Sequence, residues 1–126
     1  MIPGEWAVVR RAAGERSPAW LDEGPGAFVS ITHTAEELSI VCPAAGVPES
    51  ERAERGWALL KLHGPFPFDQ VGVLASVAAP LAAAGVSLFA LSTFDTDYLL
   101  VKTVDLGAAR RALAAEGHLE VATDSK

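Results

Sequence analysis

Short runs of alternating apolar and polar residues occupy the first half of the chain, and longer runs with helical spacing enter in the second. Residues 5–10, Glu5-Trp6-Ala7-Val8-Val9-Arg10, predict a first strand. Residues 11–26 carry Gly14, Ser17-Pro18 and Gly24-Pro25-Gly26, so they read as irregular, with Trp20-Leu21 pinning the stretch onto the core. Residues 27–32 and 38–42 predict two more strands joined by a polar turn over 34–37, and Pro43 stops the second. Residues 48–55 are charged and predict one short helical piece; residues 56–62 predict a strand that ends before Gly64-Pro65.

Beyond Pro67 the period changes. Asp69 is placed as the N-cap of a helix running to about Ala84, with Leu74, Val77, Ala78 and Leu81 on one face. Gly85 stands where a helix needs a left-handed residue to end, and Pro80 is expected to loosen the last turn. Residues 86–92 and 98–101 predict strands around a loop at 93–96. Residues 105–116 predict a second helix with Leu106, Ala109 and Leu113 inward and Arg110 and Arg111 outward, and residues 119–121 a last strand. From residue 56 the order is β-α-β-β-α-β, which predicts an α+β chain: an antiparallel ferredoxin-like sheet with helices on one face. The strands flanking the first helix are placed as neighbours in its centre. A weak internal repeat aligns Thr32-His33-Thr34-Ala35-Glu36-Glu37-Leu38 with Thr93-Phe94-Asp95-Thr96-Asp97-Tyr98-Leu99.

Charge and composition remove several classes. Sixteen acidic residues against ten basic ones give a net charge of −6, the wrong sign for gripping a nucleic-acid backbone. One cysteine, Cys42, allows neither an internal disulfide nor a Cys-rich zinc site, and no two of the three histidines stand at ligand spacing on one helix. No apolar run approaches the roughly 20 residues of a membrane span, and the N-terminus lacks the pattern of a secretory signal, so a cytoplasmic location is expected. Ser76, Ser87 and Ser92 sit in apolar runs without a nucleophile elbow, and neither His33 nor His63 has an adjacent acid that demands a dyad. No enzyme, metal or cofactor is expected.

Two segments remain as candidate chemistry. Where the chain enters the first helix, unpaired N–H groups can receive a carboxylate, and Gly72 either admits a ligand to the backbone or simply makes room for packing. In the loop at 93–97, Asp95 and Asp97 either accept from an ammonium or guanidinium or serve as ordinary turn residues. A carboxylate receptor beside a cation receptor suits a free amino acid.

The stretches Phe68-Asp69-Gln70-Val71-Gly72-Val73-Leu74 and Ala90-Leu91-Ser92-Thr93-Phe94-Asp95-Thr96-Asp97-Tyr98-Leu99-Leu100-Val101 resemble the ACT-domain group that includes the cytosolic arginine sensors (CASTOR-like proteins). The resemblance covers nearly the whole chain, strongly over about 56–118. It implies tandem ferredoxin-like domains, residues 1–55 being a degenerate N-terminal ACT-like domain and residues 56–126 the C-terminal ACT domain. It implies a regulatory module that binds an amino acid, arginine or another, at an ACT–ACT interface. Carried over residue by residue, the ligand positions are Pro67, Asp69, Gln70, Val71, Gly72 and Val73 at the helix entry, and Thr93, Phe94 and Asp97 in the hairpin, with Asp97 taking the cationic group. A homodimer would pair two C-terminal domains and create two equivalent sites. The alternative from another class is a ligand-free dimerisation or protein-interaction module.

Overall fold

In a computed structural model, residues 2–24, 28–62 and 73–117 are described, with the side chains of Val73 and Leu74 excepted. Six strands and two helices follow in the order β1 (Ile2–Ala12), β2 (Ser30–His33), β3 (Glu37–Pro43), β4 (Ala53–Lys61), α1 (Val73–Ala83), β5 (Leu88–Ser92), β6 (Asp97–Lys102) and α2 (Leu106–Ala115). The strand order is β2-β3-β1-β4-β6-β5, and the β1–β3, β2–β3 and β5–β6 pairs are antiparallel. The last expected strand, at 119–121, falls outside the described residues. The chain divides into two compact units, Gly4–Trp57 and Met1–Pro3 with Ala58–Lys126, so β1 and β4 contribute to both.

In the N-terminal unit, β2 and β3 form a hairpin with Ser30 opposite Val41 and His33 opposite Leu38, and β3 pairs β1 from Trp6–Pro43 to Ala12–Glu37. Alternation puts Ala7, Val9, Leu38, Ile40 and Cys42 into one buried cluster, completed by Ala44 and Val47. No α-helix covers this cluster among the described residues. Trp20 and Leu21 pack on it instead, as their position in an otherwise polar stretch predicts. The strap that carries them is tied at one point: Glu51 Oε2 accepts from Arg11 Nη1 at 2.9 Å and from Trp20 Nε1 at 3.0 Å.

The helical piece expected at 48–55 is absent. A short 3-10 turn forms earlier, at Ala44–Gly46. β4 then begins at Ala53, because Arg10 N–H donates to Arg52 O at 2.9 Å and draws the segment into a ladder with β1. Arg55 reaches back to the carbonyls of Val47 and Pro48 and closes the turn without helical bonds. Gly56 has φ 82°, a conformation in which a Cβ would crowd its own backbone. Its N–H donates to Glu5 Oε2 at 2.8 Å.

The C-terminal unit has its own core: Val77 and Leu81 of α1 and Ala109 of α2 lie with Ala58, Val86, Leu99 and Val101. The inward faces read from sequence hold at Val77, Leu81, Leu106, Ala109 and Leu113, while Arg110 and Arg111 are exposed. α1 runs through Pro80 to Ala83, and Gly85 two residues on has a φ of 76°. Gly85 N donates to Ala82 O at 3.0 Å and Val86 N to Leu81 O at 2.9 Å, the two bonds of a Schellman motif. Leu81 and Val86 are both buried and add its hydrophobic contact.

One expectation about strand order is corrected. β4 neighbours β6, not β5, and β5 takes the edge. The crossover through α1 skips one position, and the tight β5–β6 hairpin folds β6 back to fill it. Among the described residues no helix is long and apolar enough to cross a membrane.

Candidate functional site

The β5–β6 hairpin carries the described half of the predicted site. Leu88 faces Val101 at its open end, and Ser92 faces Asp97 at its closed end. Between them Thr93 shapes the loop: its N–H donates to Thr96 O at 2.8 Å, and its hydroxyl lies 3.2 Å from both the N–H and the carbonyl of Thr96. A threonine in this place satisfies loop groups that strand pairing leaves open. Phe94, at the tip, is 97% exposed, an arrangement that burial alone does not explain for a large apolar ring.

Asp97 is half-buried and held from two sides. Its backbone carbonyl accepts from Leu62 N at 3.0 Å, and Ser92 Oγ donates to its Oδ1. No lysine or arginine among the described residues pairs with the carboxylate. A half-buried carboxylate fixed in orientation and lacking a basic partner is suited to receive a cation from outside the chain.

The structure therefore brings Thr93, Phe94 and Asp97 together on one hairpin. Val73 is the first residue of α1. Pro67, Asp69, Gln70, Val71 and Gly72 lie outside the described residues. Ser92 is the residue that sequence reasoning passed over, having been weighed only as a nucleophile. The signal was present in the spacing: a short loop closed at Thr93 and Thr96 puts the preceding and following residues directly opposite one another.

The N-terminal hairpin repeats the loop but not the site. Thr34 N–H donates to Glu37 O at 2.9 Å, Thr34 Oγ1 donates to the same carbonyl at 3.2 Å, and Glu37 N donates to Thr34 Oγ1 at 3.0 Å. Thr34 is thus the counterpart of Thr93, and the alignment through Thr32 is off by two positions, because Thr32 lies within β2, paired with Ser39. In the corrected register His33 and Leu38 stand where Ser92 and Asp97 stand in the second hairpin.

The N-terminal unit has a cavity of about 190 Å³ lined by Trp20, Leu21, Asp22, Cys42, Pro43 and Gly46. Its one carboxylate, Asp22, accepts from Gly24 N at 2.9 Å. Burial pushes the Cys42 thiol up to about 11 against a weaker opposing pull from Arg55, so it is a poor nucleophile at neutral pH. Among the described residues no group of His, Cys, Asp and Glu is placed to hold a metal ion.

Comparison with known proteins agrees with this fold. The family model described as ACT domain matches residues 52–115, and a second model, described as an N-terminal domain, matches residues 4–50. Human CASTOR3P is 34% identical over 102 residues, which cover 71% of this chain and 63% of the relative. The cytosolic arginine sensor for mTORC1 subunit 1 of Bos taurus is 38% identical over 58 residues, 45% of this chain and 18% of the relative. The chain thus spans less than two thirds of the length of these curated relatives. Among solved structures, an Agrobacterium tumefaciens protein superposes with a TM-score of 0.85 at 43% identity, over 98% of this chain and 92% of that one. Clostridium acetobutylicum aspartate kinase shares the fold at 13% identity, with a TM-score of 0.65 over 90% of this chain and 33% of the kinase.

Proposed function

The chain belongs to the ACT-domain family, and from that premise we propose that it is a regulatory module that binds a free amino acid and performs no catalysis. The observation that carries this reading is Asp97: a hairpin carboxylate, oriented by its neighbour and lacking a basic partner among the described residues, inside the segment that matches the ACT-domain model. Several relatives are named as cytosolic arginine sensors, which favours a cationic amino acid and a cytoplasmic setting. Residues 1–55 serve as the degenerate N-terminal ACT-like domain and residues 56–126 as the ACT domain that binds.

In this reading Asp97 receives the ligand's cationic group, and Thr93 and the backbone at Phe94 add neutral hydrogen bonds. Pro67, Asp69, Gln70, Val71, Gly72 and Val73 at the helix entry take the carboxylate. The ligand lies at the seam between the C-terminal domains of two copies, so a homodimer carries two equivalent sites.

A thermal-shift screen with the common amino acids tests the reading, because a ligand that binds only the folded chain stabilises it by about 2.7 kcal/mol at 100 times its Kd. We expect a cationic amino acid to raise the melting temperature and Asp97→Ala to lose the shift while melting like the parent without ligand. An unchanged shift in Asp97→Ala would put the site elsewhere. No shift with any amino acid would favour a module that acts through protein contacts alone.

A further inference from the structure

We propose that Ser92 is a positioning residue for the ligand's cationic group: its hydroxyl donates to Asp97 Oδ1 and aims the carboxylate. The inference rests on the amino-acid-binding reading above and deepens it. Ser92 is exposed and stands directly opposite Asp97 in the last pair of the β5–β6 ladder. The hydroxyl therefore reaches the carboxylate without any backbone adjustment.

The N-terminal hairpin shows that this hydrogen bond is not needed to build the turn. Thr34 closes that loop through Glu37 as Thr93 closes the other through Thr96, and it does so with His33 and Leu38 in the flanking pair. Two hairpins of the same design thus differ at the pair under the loop. One has an imidazole over a fully buried leucine, the other a hydroxyl over a half-exposed carboxylate. A polar pair that the turn does not require, on an exposed strand end, is free to serve a ligand.

The chemistry is direct. A lone aspartate at a strand end samples several orientations, and a cation must select one of them on binding. The Ser92 donor occupies one lobe of Oδ1 and leaves Oδ2 and the outer lone pairs to accept from a guanidinium or ammonium. The charge-assisted bond fixes the side chain before the ligand arrives, so less ordering is needed on binding. Both the affinity and the preference for a cationic side chain follow from that.

The experiment is titration calorimetry of the full chain with L-arginine, L-lysine and L-ornithine, on the parent, Ser92→Ala and Ser92→Thr, with the ligand-free melting temperature measured for each. We expect Ser92→Ala to weaken the best-bound of the three roughly tenfold, about 1.4 kcal/mol, at an unchanged melting temperature. Ser92→Thr, which keeps the hydroxyl, should restore the parent's affinity. Parent-like binding by Ser92→Ala, a threonine variant as weak as the alanine one, or a matching loss of melting temperature would each overturn the positioning role and leave the amino-acid reading standing. If the parent binds none of the three, that reading and this inference fall together.

Discussion

Glu51 ties the N-terminal strap to β1, accepting from Trp20 of the strap and from Arg11 of the strand. Replacing the carboxylate by an amide removes the charge and leaves one acceptor oxygen for the Arg11 guanidinium and the Trp20 indole N–H to share. Glu51→Gln should therefore destabilise the chain by about 1–2 kcal/mol, read as a lower urea midpoint with an unchanged slope. Arg11 also lies 2.8 Å from Glu15. Its hydrogen bond holds the exposed Glu15 carboxyl below the ordinary value of 4.5, against a smaller upward push from desolvation. The folded state thus favours the ionised form, so this contribution is present above about pH 4.5 and lost as pH falls below it. Glu15→Gln should flatten the acid limb of a stability–pH curve. Cys42 titrates with the opposite sign. Its thiol is raised from 9.0 to about 11 by burial, so the fold favours the neutral form. The Cys42 contribution to stability is complete below pH 9 and is lost toward pH 11, and Cys42→Ala should remove that part of any alkaline decline.

Helix α1 is the element whose sequence argues against itself. Pro80 lacks the N–H that an interior helical position uses, yet the helix continues to Ala83. Two features hold it there: Val77 and Leu81 bury one face, and the Gly85 turn closes the end. Pro80→Ala should raise stability by about 1–3 kcal/mol, less whatever rigidity proline lends the unfolded chain. Gly85→Ala should lower it by about 1 kcal/mol, since φ is 76° while open space surrounds the missing Cβ. Equilibrium urea unfolding of both variants checks the pair. These two helices were legible in the sequence because their apolar spacing and terminal glycine each had one physical outcome. The segment at 48–55 was not, because its charges suit a helix or a solvated turn equally, and only the Arg52 carbonyl's partner on β1 decided between them. The order of β4, β6 and β5 was hidden for a related reason: strand neighbours are set by long-range pairing, to which local pattern is blind. Of the candidate site, Thr93, Phe94 and Asp97 were visible as a polar loop after an apolar strand. Ser92 was visible only through the loop spacing, which fixes the register that places it across from Asp97.

At the scale of the whole molecule, two clusters of buried residues share no member, one around Val9, Leu38 and Ile40, the other around Leu81, Leu99 and Val101. Substitutions in separate clusters should therefore add. Ile40→Val is expected to destabilise by about 1 kcal/mol and Val101→Ala by about 2 kcal/mol, and the double variant by the sum to within about 0.5 kcal/mol. A larger deviation in denaturant unfolding would show that the two cores exchange strain. The net charge of −6 adds a field that draws cations toward the chain, so any binding of a cationic amino acid should weaken as salt is raised. The two threonine-clasped hairpins also bear on how the molecule can change. An aspartate at position 38 would have to shed its water inside the first core, where Leu38 is completely enclosed. That substitution would be destabilising by several kcal/mol. The enclosure of Leu38 thus closes that position of the first hairpin to a carboxylate, while the half-exposed strand end at Asp97 in the second hairpin tolerates one.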